Sequence, residues 1–335
     1  MGRNKTFIIA ELSANHNQEF ELAIKTLEAI AASGADAVKI QTYKPDSLVL
    51  DIDNEFFGTI KNGLWKGMKR YDLYKIAATP YEWHPKLQQA AKDLGLIFFS
   101  TPFDFEAVDL LESMDIPIYK IASFEINDIP LIKYVAKLGK PIIFSTGCAD
   151  IADINLAIET CNKENNNQIS LLKCTSEYPA SYEQANLLTI PDMKTRFNLP
   201  IGVSDHTLGN IVPLTAVALG AEIVEKHFIL DRTLGGADAA FSMEPDEFKD
   251  MVNNIRNVEK TFGEIKYDIT DNERSKRRSL YASDDIRKGD VFSDKNIRSL
   301  RPGYGLHPRF YEIIMGKKSR RDIARGEPLN DIDLC

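Results

Sequence analysis

Eight short apolar segments alternate with amphipathic helical segments along most of the chain, and this alternation limits the folds open to the sequence. Continuous apolar strands separated by helices are typical of a parallel sheet that helices cover. The segments begin at Phe7, Ala37, Ile97, Ile118, Pro141, Ser170, Pro200 and Ala221. Eight such units within about 265 residues predict an α/β fold, a (β/α)8 TIM barrel, with a doubly wound open sheet as the alternative.

The pattern changes after the last helical segment, which ends at Gly263. We predict a catalytic barrel over residues 1–266, a polar linker over 267–278 and a small β-rich domain over 279–335. The phrase Asp-Ile-x-x-Gly occurs twice in the small domain, at 285–289 and 322–326, and each copy predicts a short strand and a turn. About 55 residues bury little core, so we expect this domain to dock on another surface.

Composition excludes several classes of protein. The 335 residues carry a net charge of −8, which argues against nucleic-acid binding and against attachment to anionic lipid. No apolar run reaches about 18 residues, so we expect no membrane span, and the N-terminal segment lacks the pattern of a signal peptide. Cysteines without metal-like spacing indicate reduced thiols in a cytoplasmic protein. They are Cys148, Cys161, Cys174 and Cys335.

Polar residues are concentrated at the predicted C-terminal ends of the strands, where TIM barrels carry their active sites. Because side chains alternate along a strand, Lys39 and Gln41 face one side together. Ser204 with His206, and Glu225 with His227, do the same. Packing alone would not select unpaired charges for a barrel interior, because burying them costs several kcal/mol. The alternative interpretation is a set of rim residues that face solvent.

Two histidines, His206 and His227, end neighbouring strands of the predicted barrel. Two converging imidazoles predict a metal site, and with oxygen partners they suit Mn²⁺, Fe²⁺, Co²⁺ or Zn²⁺ better than Mg²⁺. His16 lies beyond its strand and is expected to support the site or belong to a loop. His84 and His307 precede prolines, which favours structural roles for both.

A second set of residues supplies two cations and several hydroxyl donors. Such a set suits a phosphate or a phosphorylated carboxylic acid, whose anionic oxygens need several donors at once. Its members are Lys39, Lys120, Thr101, Ser123, Ser145 and Ser204. The rival chemistry is a Schiff-base aldolase, which needs one lysine and no metal, so the paired histidines count against it.

Nine phrases carry a resemblance to a known family. They are AELSANHN, VKIQTY, FFSTPFD, YKIASFE, IIFSTG, LLKCTSEYP, GVSDHT, IVEKHF and RPGYGL, in order over essentially the whole chain. With them the sequence resembles the sialic acid synthases, which condense phosphoenolpyruvate with an N-acetylated amino sugar to make a nonulosonic acid. The segment from Ser279 is similar to the antifreeze-like, or SAF, domain of that family.

Within the family the sequence most resembles the branch that makes pseudaminic acid. The resemblance rests on Leu12-Ser13-Ala14, on the segment NGLWKGMKRYDLYKIAATPYEWH and on the phrase RPGYGLHP. It implies a transferase that joins phosphoenolpyruvate, 2,4-diacetamido-2,4,6-trideoxy-L-altrose and water, with C–O cleavage, to give pseudaminic acid and phosphate. N-acetylneuraminic or legionaminic acid synthesis is the alternative. A non-catalytic carbohydrate-binding or assembly protein is a third hypothesis. The presence of the full set of site residues argues against it, namely Glu11, Lys39, Lys120, His206, Glu225 and His227.

The resemblance also implies roles for individual residues. His206 and His227 hold a divalent metal, with Mn²⁺ expected and Mg²⁺ or Co²⁺ as alternatives. The cation and hydroxyl set binds phosphoenolpyruvate, and Glu11 and Glu225 orient the aldehyde or the water, or move protons. Contacts to the sugar are expected from Gln41, Tyr178 and Asp238. Ser176 stands where neuraminic synthases carry an asparagine that contacts phosphoenolpyruvate, and serine is shorter.

Two further expectations concern assembly and the acceptor. The family resemblance implies a domain-swapped homodimer in which Arg301 enters the partner's active site. The long segment from Lys44 to Pro80 is predicted to form a lid or a substrate wall, with Trp65 and Tyr74 as candidates to face the acceptor's C6 methyl. A packing role for these aromatic residues is the alternative. Flagellin, capsule and lipopolysaccharide are the expected destinations of the product.

Overall fold

A closed barrel of eight parallel strands forms the N-terminal part of the protein. The structure is a computed structural model and describes residues 5–334. The strands, β1 to β8, are Phe7–Glu11, Ala37–Thr42, Ile97–Pro102, Tyr119–Ile121, Ile142–Ser145, Ile169–Cys174, Ile201–Asp205 and Ile223–His227. Each strand pairs with the next, and β8 pairs with β1 in parallel, which closes the sheet. The predicted TIM barrel is confirmed, and the open sheet is excluded.

Helices cover the outside of this barrel. In chain order α1 to α10 are Phe20–Ser33, Pro45–Leu48, Arg70–Ala77, His84–Asp93, Phe105–Ser113, Ile129–Ala136, Ile151–Lys163, Thr189–Phe197, Ile211–Ala218 and Pro245–Thr261. In α1 the buried Ala23, Leu27 and Ile30 recur at helical spacing. The helix ends where Gly34 takes a left-handed conformation with φ of 86°, which glycine adopts without strain. Short 3₁₀ turns cover Tyr81–Trp83, Glu183–Ala185, Arg232–Leu234 and Ala239–Phe241.

An apolar floor closes the lower part of the barrel interior. It consists of Ile9, Ala37, Phe99, Ile143, Leu172 and Ile223. Gly202 belongs to the same region, where a Cβ atom would lie 2.4 Å from the carbonyl oxygen of Ile223, so only glycine fits there. Because this floor is packed, it leaves no space below the polar residues that lie further along the strands. These residues are therefore at the C-terminal mouth of the barrel.

The segment from Lys44 to Pro80 is less irregular than a plain loop. It contains the short α2 and the two-turn α3, and Thr59 and Lys69 form an isolated antiparallel bridge. The helix α3 buries Leu73 and Ala77, which share one face at i and i+4. The segment therefore has regular structure of its own. The residues between α2 and α3 form no helix and are available for contacts with other loops.

The C-terminal part forms a separate compact unit, Gly263–Cys335, distinct from Met1–Phe262. It contains α11 (Asp271–Ser275), α12 (Tyr311–Ile314), 3₁₀ turns at Pro308–Phe310 and Asp331–Leu334, and an antiparallel pair of strands, β9 (Ser279–Ala282) and β10 (Ile297–Leu300). A small core holds the unit together, with Leu280, Ile286, Phe292, Ile297, Ile314, Ile323 and Leu329. The predicted linker thus includes the helix α11.

The two Asp-Ile-x-x-Gly copies pair with each other. Ile286 and Ile323 exchange both backbone hydrogen bonds, each 2.8 Å long, in an isolated antiparallel bridge. Gly289 and Gly326 follow with φ values of 93° and 87°, which explains the glycine in each turn. The predicted turns are confirmed, but the predicted strands are not, because the pairing does not extend beyond one bridge.

Two expectations from composition can be compared with the structure. Within residues 5–334 no helix has both the length and the apolar character that crossing a membrane requires. Cys148, Cys161 and Cys174 are free thiols, as predicted, and Cys335 lies outside the described residues.

Candidate active site

Two lysines and two glutamates form a buried cluster at the mouth of the barrel. Lys39 Nζ lies 2.6 Å from Glu11 Oε2 and 3.2 Å from Glu225 Oε1, and Lys120 Nζ lies 3.6 Å from the same Glu225 oxygen. Ser204 Oγ donates a hydrogen bond of 3.1 Å to Glu225 Oε1. None of the four charged side chains is more than 5% exposed. The interpretation of these residues as a solvated rim is therefore wrong, because each is buried beside an opposite charge.

Hydroxyl groups from the neighbouring strands surround this cluster. Thr101 and Ser145 accept hydrogen bonds from the ammonium groups of the two lysines, at 3.3 and 2.7 Å respectively. Ser123 Oγ and Ser176 Oγ are 2.6 Å apart. A Cβ atom on Gly147 would lie 2.2 Å from Ser176 Oγ, so this glycine makes room for the serine. The structure thus brings every member of the predicted cation and hydroxyl set to one end of the barrel.

The charges in the cluster set one another's protonation. Burial raises the pKa of Glu225. The ammonium groups of Lys120 and Lys39 lower it by more than burial raises it, and the result is a pKa of about 2. Burial lowers the pKa of Lys39, yet the carboxylates of Glu11 and Glu225 raise it above its usual value. For Lys120 burial dominates and the pKa falls below its usual value. Glu225 therefore stays ionised, and Lys120 is the ammonium that gives up its proton more readily.

His206 and His227 lie side by side, as the order of β7 and β8 requires, with their ring centroids 5.2 Å apart. The Nδ1 atom of His206 donates to the carbonyl of Thr175 at 2.8 Å, so the lone pair of the neutral ring lies on Nε2. The Nδ1 atom of His227 is buried without a hydrogen bond and lies 3.5 Å from Asp238 Oδ2. Two neighbouring imidazoles are a ligand pair that suits a divalent transition metal.

The part of the chain from 5 to 334 contains no group of three or more His, Cys, Asp or Glu side chains arranged to hold a metal. The histidine pair alone would therefore leave several coordination positions to other molecules. An incomplete set of protein ligands is typical of catalytic metals, which keep positions open for substrate or water, whereas structural zinc sites are closed. The donor set is thus compatible with a catalytic metal and unlike a structural one.

The predicted sugar contacts from the barrel surround the histidine pair. Gln41 Nε2 donates to Ser13 Oγ at 3.0 Å, and Ser13 donates in turn to Asp238 Oδ2. The ring of Tyr178 lies 4.5 Å from that of His206. Burial raises the pKa of Asp238, but the neighbouring His227 and the hydrogen bond from Ser13 lower it overall. Polar groups and an aromatic face therefore border one space beside the imidazoles.

Arg301, the remaining predicted sugar contact, lies in the C-terminal unit. Its side chain is exposed and, within the described part of the chain, makes no hydrogen bond and no ion pair.

The two aromatic candidates from the long segment differ in their surroundings. Trp65 donates from Nε1 to the carbonyl of Ala237 at 2.8 Å, and its ring lies 5.8 Å from Tyr178. Tyr74 instead packs edge-on against Tyr43, with ring centroids 6.0 Å apart. Trp65 therefore joins the residues near the histidine pair, and Tyr74 takes a packing contact.

Two residues near the site were not among those predicted from sequence. Glu125 follows β4 by four residues, and its Oε2 atom is buried without a hydrogen-bond partner among the described residues. Burial raises the pKa of Glu125 to about 7, although Lys120 lowers it. Burial also raises the pKa of the Cys174 thiol, but its hydrogen bond to His206 brings the value down to about 7. Glu125 lies in the phrase YKIASFE, beyond the strand, where alternation no longer gives the direction of a side chain.

The histidines predicted to be structural or supporting are satisfied locally. His84 Nε2 is 2.8 Å from Thr42 Oγ1, and its Nδ1 donates to the Pro80 carbonyl. His16 Nε2 lies 3.3 Å from Thr79 Oγ1. Burial lowers the pKa of His16 and of His84 to about 4, so both rings are neutral at pH 7.

Comparison with known proteins agrees with this geometry. The NeuB family model matches residues 26–267, and the SAF domain model matches residues 277–334. The chain is 47% identical to a pseudaminic acid synthase of Campylobacter jejuni over 98% of this chain and 97% of that one. It is 38% identical to the N,N'-diacetyllegionaminic acid synthase of Legionella pneumophila over 96% and 93% respectively.

A solved structure supports the same relationship. The N-acetylneuraminic acid (sialic acid) synthetase of Leptospira borgpetersenii, solved in complex with citrate, superposes with a TM-score of 0.72 at 33% identity. The match covers 81% of this chain and 90% of that one. With an eight-stranded barrel, a C-terminal SAF domain and relatives of this similarity over nearly its whole length, the chain belongs to the NeuB family of sugar-acid synthases.

Proposed function

We propose that this protein is a pseudaminic acid synthase, which condenses phosphoenolpyruvate with 2,4-diacetamido-2,4,6-trideoxy-L-altrose and water to give pseudaminic acid and phosphate. The observation that carries the reaction is the buried Lys39–Glu225–Lys120 cluster at the same barrel end as the His206 and His227 pair. The higher identity to the pseudaminic than to the legionaminic relative, both over nearly the whole chain, supports the acceptor.

Phosphoenolpyruvate would bind to the lysine and hydroxyl set. The two ammonium groups now face carboxylates, so the cluster is close to charge balance. An incoming phosphate and carboxylate would replace Glu11 and Glu225 as partners of the lysines, and hydroxyl donors would satisfy the remaining oxygens. The residues proposed to hold the substrate are Lys39, Thr101, Lys120, Ser123, Ser145 and Ser204.

His206 and His227 would hold a divalent metal, for which Mn²⁺ is the expected ion. When bound there, the metal would act as a Lewis acid on the aldehyde oxygen of the open-chain sugar. Gln41, Tyr178 and Asp238 would orient that sugar beside the imidazoles. The new bond would join C3 of phosphoenolpyruvate to the aldehyde carbon, water would add at C2, and the C–O bond to phosphate would break.

The carboxyl groups suit different tasks. Glu225, with a pKa of about 2, would remain ionised and would hold the lysines and Ser204 in place until the substrate binds. Glu125, with a pKa of about 7, suits the exchange of a proton with the sugar or water near neutral pH. Glu11, ion-paired with Lys39, would orient the water or the aldehyde.

The active unit is proposed to be a domain-swapped homodimer in which Arg301 completes the partner's site. Two observations support this. The exposed Arg301 side chain has no partner of its own within the described residues. Residues 263–335 carry 16 Lys and Arg against 13 Asp and Glu, which is a net charge of +3. Since the whole chain has a net charge of −8, residues 1–262 have a net charge of −11. Opposite net charges would favour the approach of one chain's C-terminal unit to another chain's barrel.

Phosphate release from phosphoenolpyruvate tests the proposed function directly. Reactions with Mn²⁺ would contain the altrose-derived acceptor, its legionaminic counterpart or N-acetylmannosamine, each with and without a chelator. Release only with the altrose derivative, and abolished by the chelator, is the expected result. Release with another acceptor instead would contradict the acceptor assignment, and no release with any acceptor would favour a binding protein.

A further inference from the structure

A buried ion pair stands one position before each of the two imidazoles. Asp205 precedes His206 at the end of β7, and Lys226 precedes His227 in β8. Lys226 Nζ lies 2.5 Å from Asp205 Oδ2, and neither side chain is more than 2% exposed. Because side chains alternate along a strand, this pair lies on the outer face of the barrel, opposite to the two histidines.

The backbone alone does not connect the two histidines. The hydrogen-bonded register between β7 and β8 ends with the pair Asp205 and Lys226. His206 lies beyond the end of β7, while His227 is the last residue of β8 and pairs in register with Glu11 of β1. Some other contact must therefore hold His206 at its distance from His227.

Thr207 supplies that contact from the far side of His206. Its backbone N–H and its hydroxyl donate to Asp205 at 3.0 Å each, and its carbonyl accepts a 2.5 Å hydrogen bond from Lys226. Asp205 and Thr207, which flank His206 in the chain, are thus both hydrogen-bonded to Lys226. Lys226 directly precedes His227. The imidazole of His206 itself is oriented by its hydrogen bond to the Thr175 carbonyl, by Cys174 and by the ring of Tyr178.

Stability alone is a weak explanation for this arrangement. A buried ion pair loses hydration that its mutual attraction does not always recover, and apolar residues of similar size are often as stable. The covering helices bury apolar residues elsewhere on this outer face. A charged pair with fixed hydrogen-bond directions, by contrast, fixes the position of the chain it holds.

We infer that Asp205, Thr207 and Lys226 are positioning residues that set the separation of the two imidazoles and thereby the affinity of the site for a divalent metal. The inference rests on the metal pair of the proposed function. Partners that hold metal-binding histidines change metal affinity by about 10- to 100-fold when they are removed.

The test is the dissociation constant for Mn²⁺ alone, measured by electron paramagnetic resonance on the full-length protein together with the melting temperature. Lys226→Met is expected to weaken Mn²⁺ binding by about 10-fold or more, and Thr207→Val by a smaller factor. The Asp205→Asn/Lys226→Met double variant, which leaves no buried charge, keeps the test available where the single variant does not fold. It too is expected to bind Mn²⁺ more weakly.

The matched control is Arg256→Met, which breaks a 2.8 Å ion pair with Asp36 near the other end of the barrel. It should lower the melting temperature and leave the Mn²⁺ constant unchanged. Equal weakening by Arg256→Met, or an unchanged constant in the Lys226 and Thr207 variants, would overturn the inference and leave the proposed function intact. Absence of Mn²⁺ binding by the wild-type protein would instead overturn the metal pair, and this inference with it.

Discussion

Glu125 and Glu225 are both carboxylates at the mouth of one barrel, yet they hold protons over different pH ranges. Glu225 has two lysines within 3.6 Å, which outweigh the effect of burial and bring its pKa to about 2. Glu125 has a buried oxygen without a partner among the described residues, and burial raises its pKa to about 7. Contacts that no sequence pattern encodes thus decide which carboxyl group is ionised.

Replacing Glu125 by glutamine should change how stability depends on pH. The pKa of the Glu125 carboxyl is about 7 in the folded protein and 4.5 without the burial. Between these two pH values the folded state retains a proton that the unfolded state loses. The stability of the wild-type protein therefore falls as pH rises from about 4.5 to 7. Between pH 4 and pH 8 the Glu125→Gln variant should gain about 3 kcal/mol relative to the wild type.

Urea denaturation of both proteins at several pH values measures this difference. The phosphate-release rate of the variant should also lose its dependence on a group that titrates near neutral pH. Unfolding free energies that run parallel from pH 4 to pH 8 would show that Glu125 has an ordinary pKa in the folded protein.

Removing Lys39 should cost both stability and substrate affinity. Lys39→Met leaves the buried Glu11 and Glu225 without their nearest cation, and we expect a loss of about 3 kcal/mol in the free energy of unfolding. The KM for phosphoenolpyruvate should rise more than the KM for the sugar. Lys163→Met is the control, because its ion pair with Glu159 is exposed and contributes less than about 1 kcal/mol. Equal effects of the two substitutions would contradict the buried cluster.

At the scale of elements, the segment between β2 and α3 links two loops that border the histidine pair. Its Trp65 contacts Tyr178 in the loop after β6 and bonds to Ala237 in the loop after β8. Ala237 directly precedes Asp238, which lies 3.5 Å from His227. A single indole therefore bridges both loops from which sugar contacts are expected.

Trp65→Ala should raise the KM for the sugar acceptor by about 10-fold or more, since a large, partly buried aromatic group contributes more than about 1.4 kcal/mol to such a contact. The KM for phosphoenolpyruvate should stay within a factor of about two. Trp65→Phe should recover part of the effect, because it keeps the aromatic face but loses the hydrogen bond. Phe56→Ala, at a residue in the same segment that is 69% exposed, should change neither constant. A rise in the phosphoenolpyruvate KM alone would contradict this role of Trp65.

At the scale of the whole molecule, the chain divides into an acidic barrel unit and a basic C-terminal unit with a separate core. The barrel unit contains every predicted site residue except Arg301. If Arg301 of one chain completes the site in the barrel of its partner, a complete site needs two copies of the chain. Activity would then depend on dimerisation.

Mixing two inactive variants tests this dependence. Arg301→Ala and His227→Ala should each abolish turnover as homodimers, for want of the sugar contact and of a metal ligand respectively. Subunit exchange between them should restore about a quarter of the wild-type activity, because half of the dimers then contain one intact site. Mixing Arg301→Ala with the Arg301→Ala/His227→Ala double variant is the control and should restore nothing. A lack of recovery in the first mixture would show that Arg301 does not act across subunits.

Much of the fold and part of the site could be predicted from the sequence because both follow local rules. Continuous apolar strands, helical spacing in α1 and a glycine at its end depend on residues close together in the chain. Alternation along a strand likewise predicted that Glu225 and His227 share a side. The Asp-Ile-x-x-Gly copies mark the limit of such rules, since their turns formed as predicted and their strands did not.

The sequence by itself determined the barrel, the SAF unit, the family and the residue types at the strand ends. Only the tertiary structure decided that Lys39 pairs with Glu11 and Glu225, that Glu125 has no partner for its buried oxygen, and that Lys226 ties Thr207 to the strand of His227. The physical reason is distance along the chain. Propensity and periodicity act within a few residues, whereas protonation and side-chain position depend on groups that closure of the barrel brings together from strands far apart in sequence.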